Sequence, residues 1–254
     1  HIKKETIQLL TQFRQELHQN PELSGIEFKT SSRVISFLKK SNPSEIIHPI
    51  GDTGIIAVFK GQNTGPKTVF RCELDALPIQ ESNEFNHKSI RDGVSHKCGH
   101  DGHTVILCGV ASLLSEANSF NGTIYLLFQH AEEDGEGAKK ILNDPLFETI
   151  KPEYVFALHN LPGYKLGQVV VKNNTFSCAV NSMIISLSEK TSHAAEPEKE
   201  SIPHLLFQKS QQFSIKKFKR IVLKIRFVSS LLSISTWAQK RMAFQQALVK
   251  FILL

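Results

Sequence analysis

Ser95–Glu116, SHKCGHDGHTVILCGVASLLSE, runs directly from metal-ligand side chains into an apolar segment. Three His, one Cys and one Asp stand within the eight residues His96–His103. Gly99, between Cys98 and His100, lets both side chains turn to one centre. Thr104–Glu116 is apolar along nearly its whole length, which predicts a helix buried between layers. Working outward, Thr123–Phe128 (TIYLLF) is a continuous apolar strand, Ala138–Leu142 a short helix and Tyr154–Leu158 another buried strand. On the other side, Gly54–Phe59 and Thr68–Cys72 are strand-like. Thr6–His18 (Ile7, Leu10, Phe13, Leu17) and Ser31–Lys40 (Val34, Ile35, Leu38) carry apolar residues at helical spacing. Apolar strands alternating with helices predict a layered α/β domain whose largely parallel, mixed sheet is flanked by helices.

Composition narrows the class. The 254 residues are 41% hydrophobic and 21% charged, which excludes a disordered or collagen-like chain. No apolar run reaches the roughly 18–20 residues of a membrane span, and no N-terminal signal peptide is seen. The four cysteines (Cys72, Cys98, Cys108, Cys178) do not make a disulfide framework in so long a chain, so a reduced, cytoplasmic setting is expected. A chain beginning at His1 is expected to be a fragment. Charge is unevenly shared: residues 1–200 hold 20 Lys and Arg and all 24 Asp and Glu, whereas residues 201–254 hold 10 Lys and Arg and no acid. Lys216–Arg226 alternates basic and apolar residues, but no groove-reading motif accompanies it. Neither nucleic acid nor a membrane is expected as a partner.

Ligands of open α/β sheets bind where strands end. Three strand ends here carry ligand-type side chains: Glu73 and Asp75, then His130-Ala131-Glu132-Glu133, then His159. A thiolate beside imidazoles suits zinc or a related divalent transition metal. Glu132 and Glu133 are expected to diverge, one binding metal and the other facing an attacking water as general base. Each feature also has a plainer reading. The His/Cys loop could simply cap a helix through Asp101 or Thr104, the Glu pair could be a solvated surface, and His159 a core histidine.

Six segments taken together settle the choice: RQELHQNPELSGIEFKT (14–30), FRCELDALPIQE (70–81), HKCGHDGHT (96–104), FQHAEEDGEGAKK (128–140), ALHNLPGYKLG (157–167) and TSHAAEP (191–197). In this order they resemble the metal-dependent amidohydrolases that include hippurate hydrolases, N-acyl-amino-acid deacylases and auxin-conjugate hydrolases, within the aminoacylase and carboxypeptidase clan. The resemblance implies two divalent metal ions, zinc or manganese, held by Cys98, His100, Glu133 and His159, with His100 bridging. It implies Glu132 as general base and proton donor, Asp75 as the carboxylate orienting a ligand, and His193 as a lid histidine that stabilises the oxyanion across a family homodimer. The implied substrate is a small N-acyl amino acid. Any metal contact of Glu73 stays open, because relatives often have Asp there.

The implied organisation is a catalytic α/β domain over residues 1–181, the start of a ferredoxin-like α+β lid over 182–199, and a non-family basic tail over 200–254. Relatives continue after Lys199 with segments like GINPALAISKI and TPIHINMGxKAYGISAG. The codons allowed here permit both one base out of frame, and the single codons of Trp237 and Met242 force glycines in the expected register. A frameshift after Lys199 is therefore expected, with lid and homodimer lost and the chain weakly active or inactive. The alternatives are a non-catalytic metal-binding remnant, or a dipeptidase or deacetylase of the same clan.

Overall fold

The computed structural model describes residues 2–117, 119–171, 182–186 and 224–228. The chain divides into two units, residues 1–178 with 232–254, and residues 179–231. Described residues of the first unit form helices α1 (Lys4–Gln19), α2 (Phe28–Leu38), α3 (His100–Glu116), α4 (Gly137–Leu142) and α5 (Pro145–Ile150), with strands β1 (Glu45–Ile50), β2 (Gly54–Lys60), β3 (Asn63–Glu73), β4 (Asn121–Gln129) and β5 (Tyr154–Ala157). In the second unit, β6 (Ser182–Ser186) pairs antiparallel with β7 (Lys224–Val228), Ser182 opposite Val228. The expected strand from Met183 is β6. His193 and the expected domain boundaries at 181 and 199 lie outside the described residues. No helix among the described residues is long and apolar enough to cross a membrane.

Two-sided burial explains why the central strands are apolar throughout. Along β2, Ile55, Ala57 and Phe59 join one core with Leu126 and Phe128 of β4, Leu10, Phe13 and Leu17 of α1, Val34 and Leu38 of α2, and Val105, Leu107 and Ala111 of α3. The alternate residues Ile56 and Val58 face a second core with Val69, Leu127, Ile141, Phe147 and Ile150, against α4 and α5. The result is the expected helix-flanked mixed sheet, in the order β1-β2-β4-β3-β5. β3 runs parallel to both β4 and β5. β2 runs antiparallel to β4 and to the edge strand β1.

This topology positions the site. Glu73 pairs with Gln129 and Arg71 with Ala157, so the three parallel strands stop at one rim. The loops bearing Asp75, Glu132, Glu133 and His159 all leave from there. Within the first unit, two elements were not anticipated. β1 contains Pro49 and a register shift between Ile47 and Ile50, which obscure its alternation. α5 is short, but its start was signalled: the Asp144 side chain accepts from Leu146 N–H and Pro145 sits in the first turn.

Candidate metal centre

α3 begins at His100, four residues before the expected Thr104, so part of the ligand loop is helix. Gly99 precedes it with φ +96°, and a Cβ there would lie 2.8 Å from Asn160 Oδ1. Only glycine tolerates both the left-handed backbone and that close approach. The helix-capping alternative does not hold. No side chain caps α3: Thr104 Oγ1 donates to the Glu73 carbonyl (2.7 Å), and Asp101 faces His18 and Arg14.

At the rim, Cys98 Sγ lies 3.3 Å from His159 Nε2. His100 Nε2 lies 3.7 Å from Glu133 Oε1 and 3.8 Å from Glu132 Oε2. Potential ligand atoms cluster within 4.8 Å in three groups: Cys98, His100, His159; His100, Glu132, Glu133; and Glu73, His100, His103. His100 is common to all three. The structure thus brings together Cys98, His100, Glu132, Glu133, His159 and Asp75, whereas His193 lies outside the described residues. One geometric expectation is corrected. Glu132 and Glu133 do not diverge from an extended strand end, because Ala131 adopts φ +46° and breaks the strand, swinging both carboxylates toward His100.

Neighbouring groups set the imidazole protons. His159 Nδ1 donates to the Asn160 carbonyl (2.7 Å), leaving the Nε2 lone pair facing Cys98. His100 Nδ1 donates to the Asp75 carbonyl (2.9 Å) with the Asp75 carboxylate 3.2 Å away. Such outer contacts fix the tautomer and orientation of a metal-binding imidazole. Burial works against a charged His100 ring, but Asp75, Cys98 and Glu73 outweigh it and hold its pKa up at about 11. Burial pushes the Glu132 and Glu133 carboxyls up.

The residues present fit a divalent cation. His100 Nε2 and Glu133 Oε1 are buried with no hydrogen-bond partner among the described residues, an arrangement that is costly unless something else satisfies them. The field that favours a proton on His100 Nε2 equally favours a divalent cation in that proton's place. Sulfur, imidazole nitrogen and carboxylate oxygen together make a donor set for zinc or manganese.

Sequence reasoning overlooked the supporting network. Glu73, whose metal contact was open, is paired with Arg71 and receives His103 Nδ1 at 2.8 Å. Burial opposes its ionisation, but Arg71 and His103 pull its pKa down to about 2. Arg71 Nε also donates to Gln129 Oε1 (2.8 Å), and His103 Nε2 lies 2.6 Å from Asn160 Oδ1. Position next to a ligand was the only available signal for Asn160. Period-two spacing along β3 relates Arg71 to Glu73.

The family model for peptidase family M20/M25/M40 matches residues 69–249. The chain belongs to that family. Among curated M20 relatives, a hippurate hydrolase of Campylobacter jejuni is 38% identical over 190 residues, covering 75% of this chain and 49% of the relative. An N-acetyl-L-cysteine deacetylase of Bacillus subtilis is 40% identical over 186 residues, covering 72% and 44%. The chain spans about half the length of these curated relatives. Among solved structures, the Bacillus subtilis YXEP protein, described as a dinuclear metal-binding peptidase of the M20 family, superposes with a TM-score of 0.66 at 30% identity, covering 75% of this chain and 61% of that one.

Proposed function

We propose that this chain carries the metal-binding half of an M20 amidohydrolase that splits small N-acyl amino acids, N-acetyl or N-aroyl, into a carboxylic acid and a free amino acid. One observation carries the reading: Cys98, His100, Glu133 and His159 converge at the carboxyl rim of three parallel strands, with Glu132 beside them. The names of the hippurate hydrolase and the N-acetyl-L-cysteine deacetylase support the substrate class.

In this reading Cys98, His100, Glu133 and His159 would hold two divalent cations, zinc or manganese, His100 contributing through its Nε2. Bound cations supply Lewis acidity, acidifying water and polarising the amide carbonyl. Glu132 takes a proton from the attacking water and delivers it to the leaving amine nitrogen. Its burial suits that task, because a carboxyl raised toward neutrality both accepts and returns a proton readily. Asp75 keeps His100 in the tautomer whose Nε2 faces the cavity. Arg71 and His103 keep Glu73 ionised behind it. Pairing of two copies through the lid, with His193 supporting the oxyanion across the pair, belongs to the same reading.

The test is metal analysis and amino-acid release by residues 1–254 supplied with zinc or manganese, using N-acetyl and N-benzoyl amino acids. The expected result is up to two metals per chain, and metal-dependent release that Glu132→Gln removes while the metal stays. A chain that binds neither metal overturns the reading.

A further inference from the structure

The turn that brings Glu132 and Glu133 to His100 is held from a distant part of the chain. Ala131 has φ +46°, a conformation L-residues seldom adopt unless their surroundings impose it. Its N–H donates to Glu27 Oε1 at 2.7 Å, across 104 positions of sequence. Glu27 is completely buried. Its carboxylate is satisfied by Ala131 N–H, Gly25 N–H (3.0 Å) and Thr53 Oγ1 (2.7 Å). Thr53 is itself buried, and its carbonyl accepts from Ser31 Oγ at 2.6 Å. Two positions beyond Ala131, Glu133 N–H donates to Asp75 Oδ2 at 2.9 Å. Buried carboxylates therefore grip the turn on either side of Glu132. On its far side the turn is closed by Gly137, whose N–H donates to the Ala131 carbonyl at 2.8 Å.

We propose that Glu27 is a positioning residue: its buried carboxylate imposes the left-handed turn at Ala131 and thereby presents Glu132 and Glu133 to the cation cavity. This rests on the metallohydrolase reading, which gives those two carboxylates their tasks. A carboxylate serves here because one oxygen accepts two converging N–H groups while the other takes a hydroxyl. Glutamine meets the same demand: its carbonyl oxygen keeps both N–H groups and its amide donates to Thr53 Oγ1. Alanine meets none of it.

Zinc affinity of the full chain, measured by competition with a chromophoric chelator, is the first readout. Glu27→Ala is expected to weaken zinc about tenfold or more, in the range for lost orienting partners, and Glu27→Gln to leave it nearly unchanged. The discriminating variant is Glu27→Ala combined with Ala131→Gly. Glycine enters the left-handed region without external hold, so zinc affinity returns to within about twofold, the scatter expected of independent sites, although stability stays lowered by the donors left without Glu27. A general structural role for Glu27 predicts no such rescue. Loss that persists in the double variant, or an unchanged affinity in Glu27→Ala, overturns the proposal. Hydrogen exchange separates this failure from that of the parent reading. If the unaltered chain binds no zinc, the metallohydrolase reading fails. Glu27 is then decided by exchange over residues 128–137, faster in Glu27→Ala but not in Glu27→Gln if the carboxylate holds the turn, and equal in all three if it does not.

Discussion

Asp75 holds His100 and Glu133 at once: its carbonyl and carboxylate lie 2.9 and 3.2 Å from His100 Nδ1, while its other carboxylate oxygen accepts from Glu133 N–H at 2.9 Å. The same oxygen accepts from Ser24 Oγ at 2.7 Å, tying in the loop after α1. One buried side chain therefore sets the separation of two potential ligands on different elements. Asp75→Asn keeps the shape but removes the charge and places a donor where one oxygen now accepts. Zinc affinity is expected to fall about 10- to 100-fold with the fold retained, read by chelator competition and a thermal melt. Affinity equal to that of the unaltered chain would contradict this role.

Cys98 offers a spectroscopic check. Its sulfur lies 3.3 Å from His159 Nε2, and a coordinating thiol gives up its proton. Cobalt(II) added to the protein is expected to produce a near-ultraviolet sulfur-to-cobalt absorption band. Cys98→Ser should lose that band, while Cys72 and Cys108, both buried elsewhere, should not substitute for it. A band that survives in Cys98→Ser would place the metal at another sulfur.

What the sequence made legible follows periodicity and adjacency. The apolar runs of β2, β3 and β4 were readable because the strands are covered on both faces, and α1 because Leu10, Phe13 and Leu17 share one helical stripe. Ligand-type side chains were readable because they stand at strand ends or, as Cys98 and His100 do, crowd the loop that opens α3. The opposite held for interactions between distant segments: nothing near Glu27 announces Ala131, and nothing near His18 announces Asp101. The convergence of Glu132 and Glu133 was misjudged for a related reason. It depends on one left-handed residue, and alanine gives no sign of adopting that conformation. β1 stayed hidden because an edge strand with a proline and a register shift has too little alternation to detect.

Gly99 couples folding to ligand placement. Alanine there meets the left-handed penalty, about 1–2 kcal/mol, and its Cβ would lie 2.8 Å from Asn160 Oδ1, forcing that side chain away from His103. Gly99→Ala is expected to lower stability by at least about 1–2 kcal/mol in urea unfolding and to weaken zinc, because Cys98 and His100 flank the displaced backbone. Gly93→Ala is the control. It also has positive φ (+70°), but nothing lies within 4 Å of its added Cβ, so it should cost stability without touching metal affinity.

His18 stands between two carboxylates, its Nδ1 2.7 Å from Asp101 Oδ2 and its Nε2 3.2 Å from Glu81 Oε1. Both ring nitrogens therefore act as donors, which only the imidazolium can do. The Asp101 hydrogen bond raises the His18 pKa above its ordinary 6.5 against the opposing effect of burial. Asp101 moves the other way: burial opposes its ionisation, but His18, His96 and Arg14 together hold it below its usual 3.8. The signs fix the window. A raised histidine contributes its full stabilisation below pH 6.5 and loses it as pH climbs through its folded-state value. A depressed aspartate contributes above about 3.8 and loses it in acid. The stability gap between the unaltered chain and His18→Gln should thus be widest between roughly pH 4 and 6.5, at about 2 kcal/mol for a charge-assisted pair. It should shrink toward pH 9. Urea unfolding of both proteins at pH 5, 7 and 9 measures the gap directly, and a gap that widens with pH would show that His18 is held neutral.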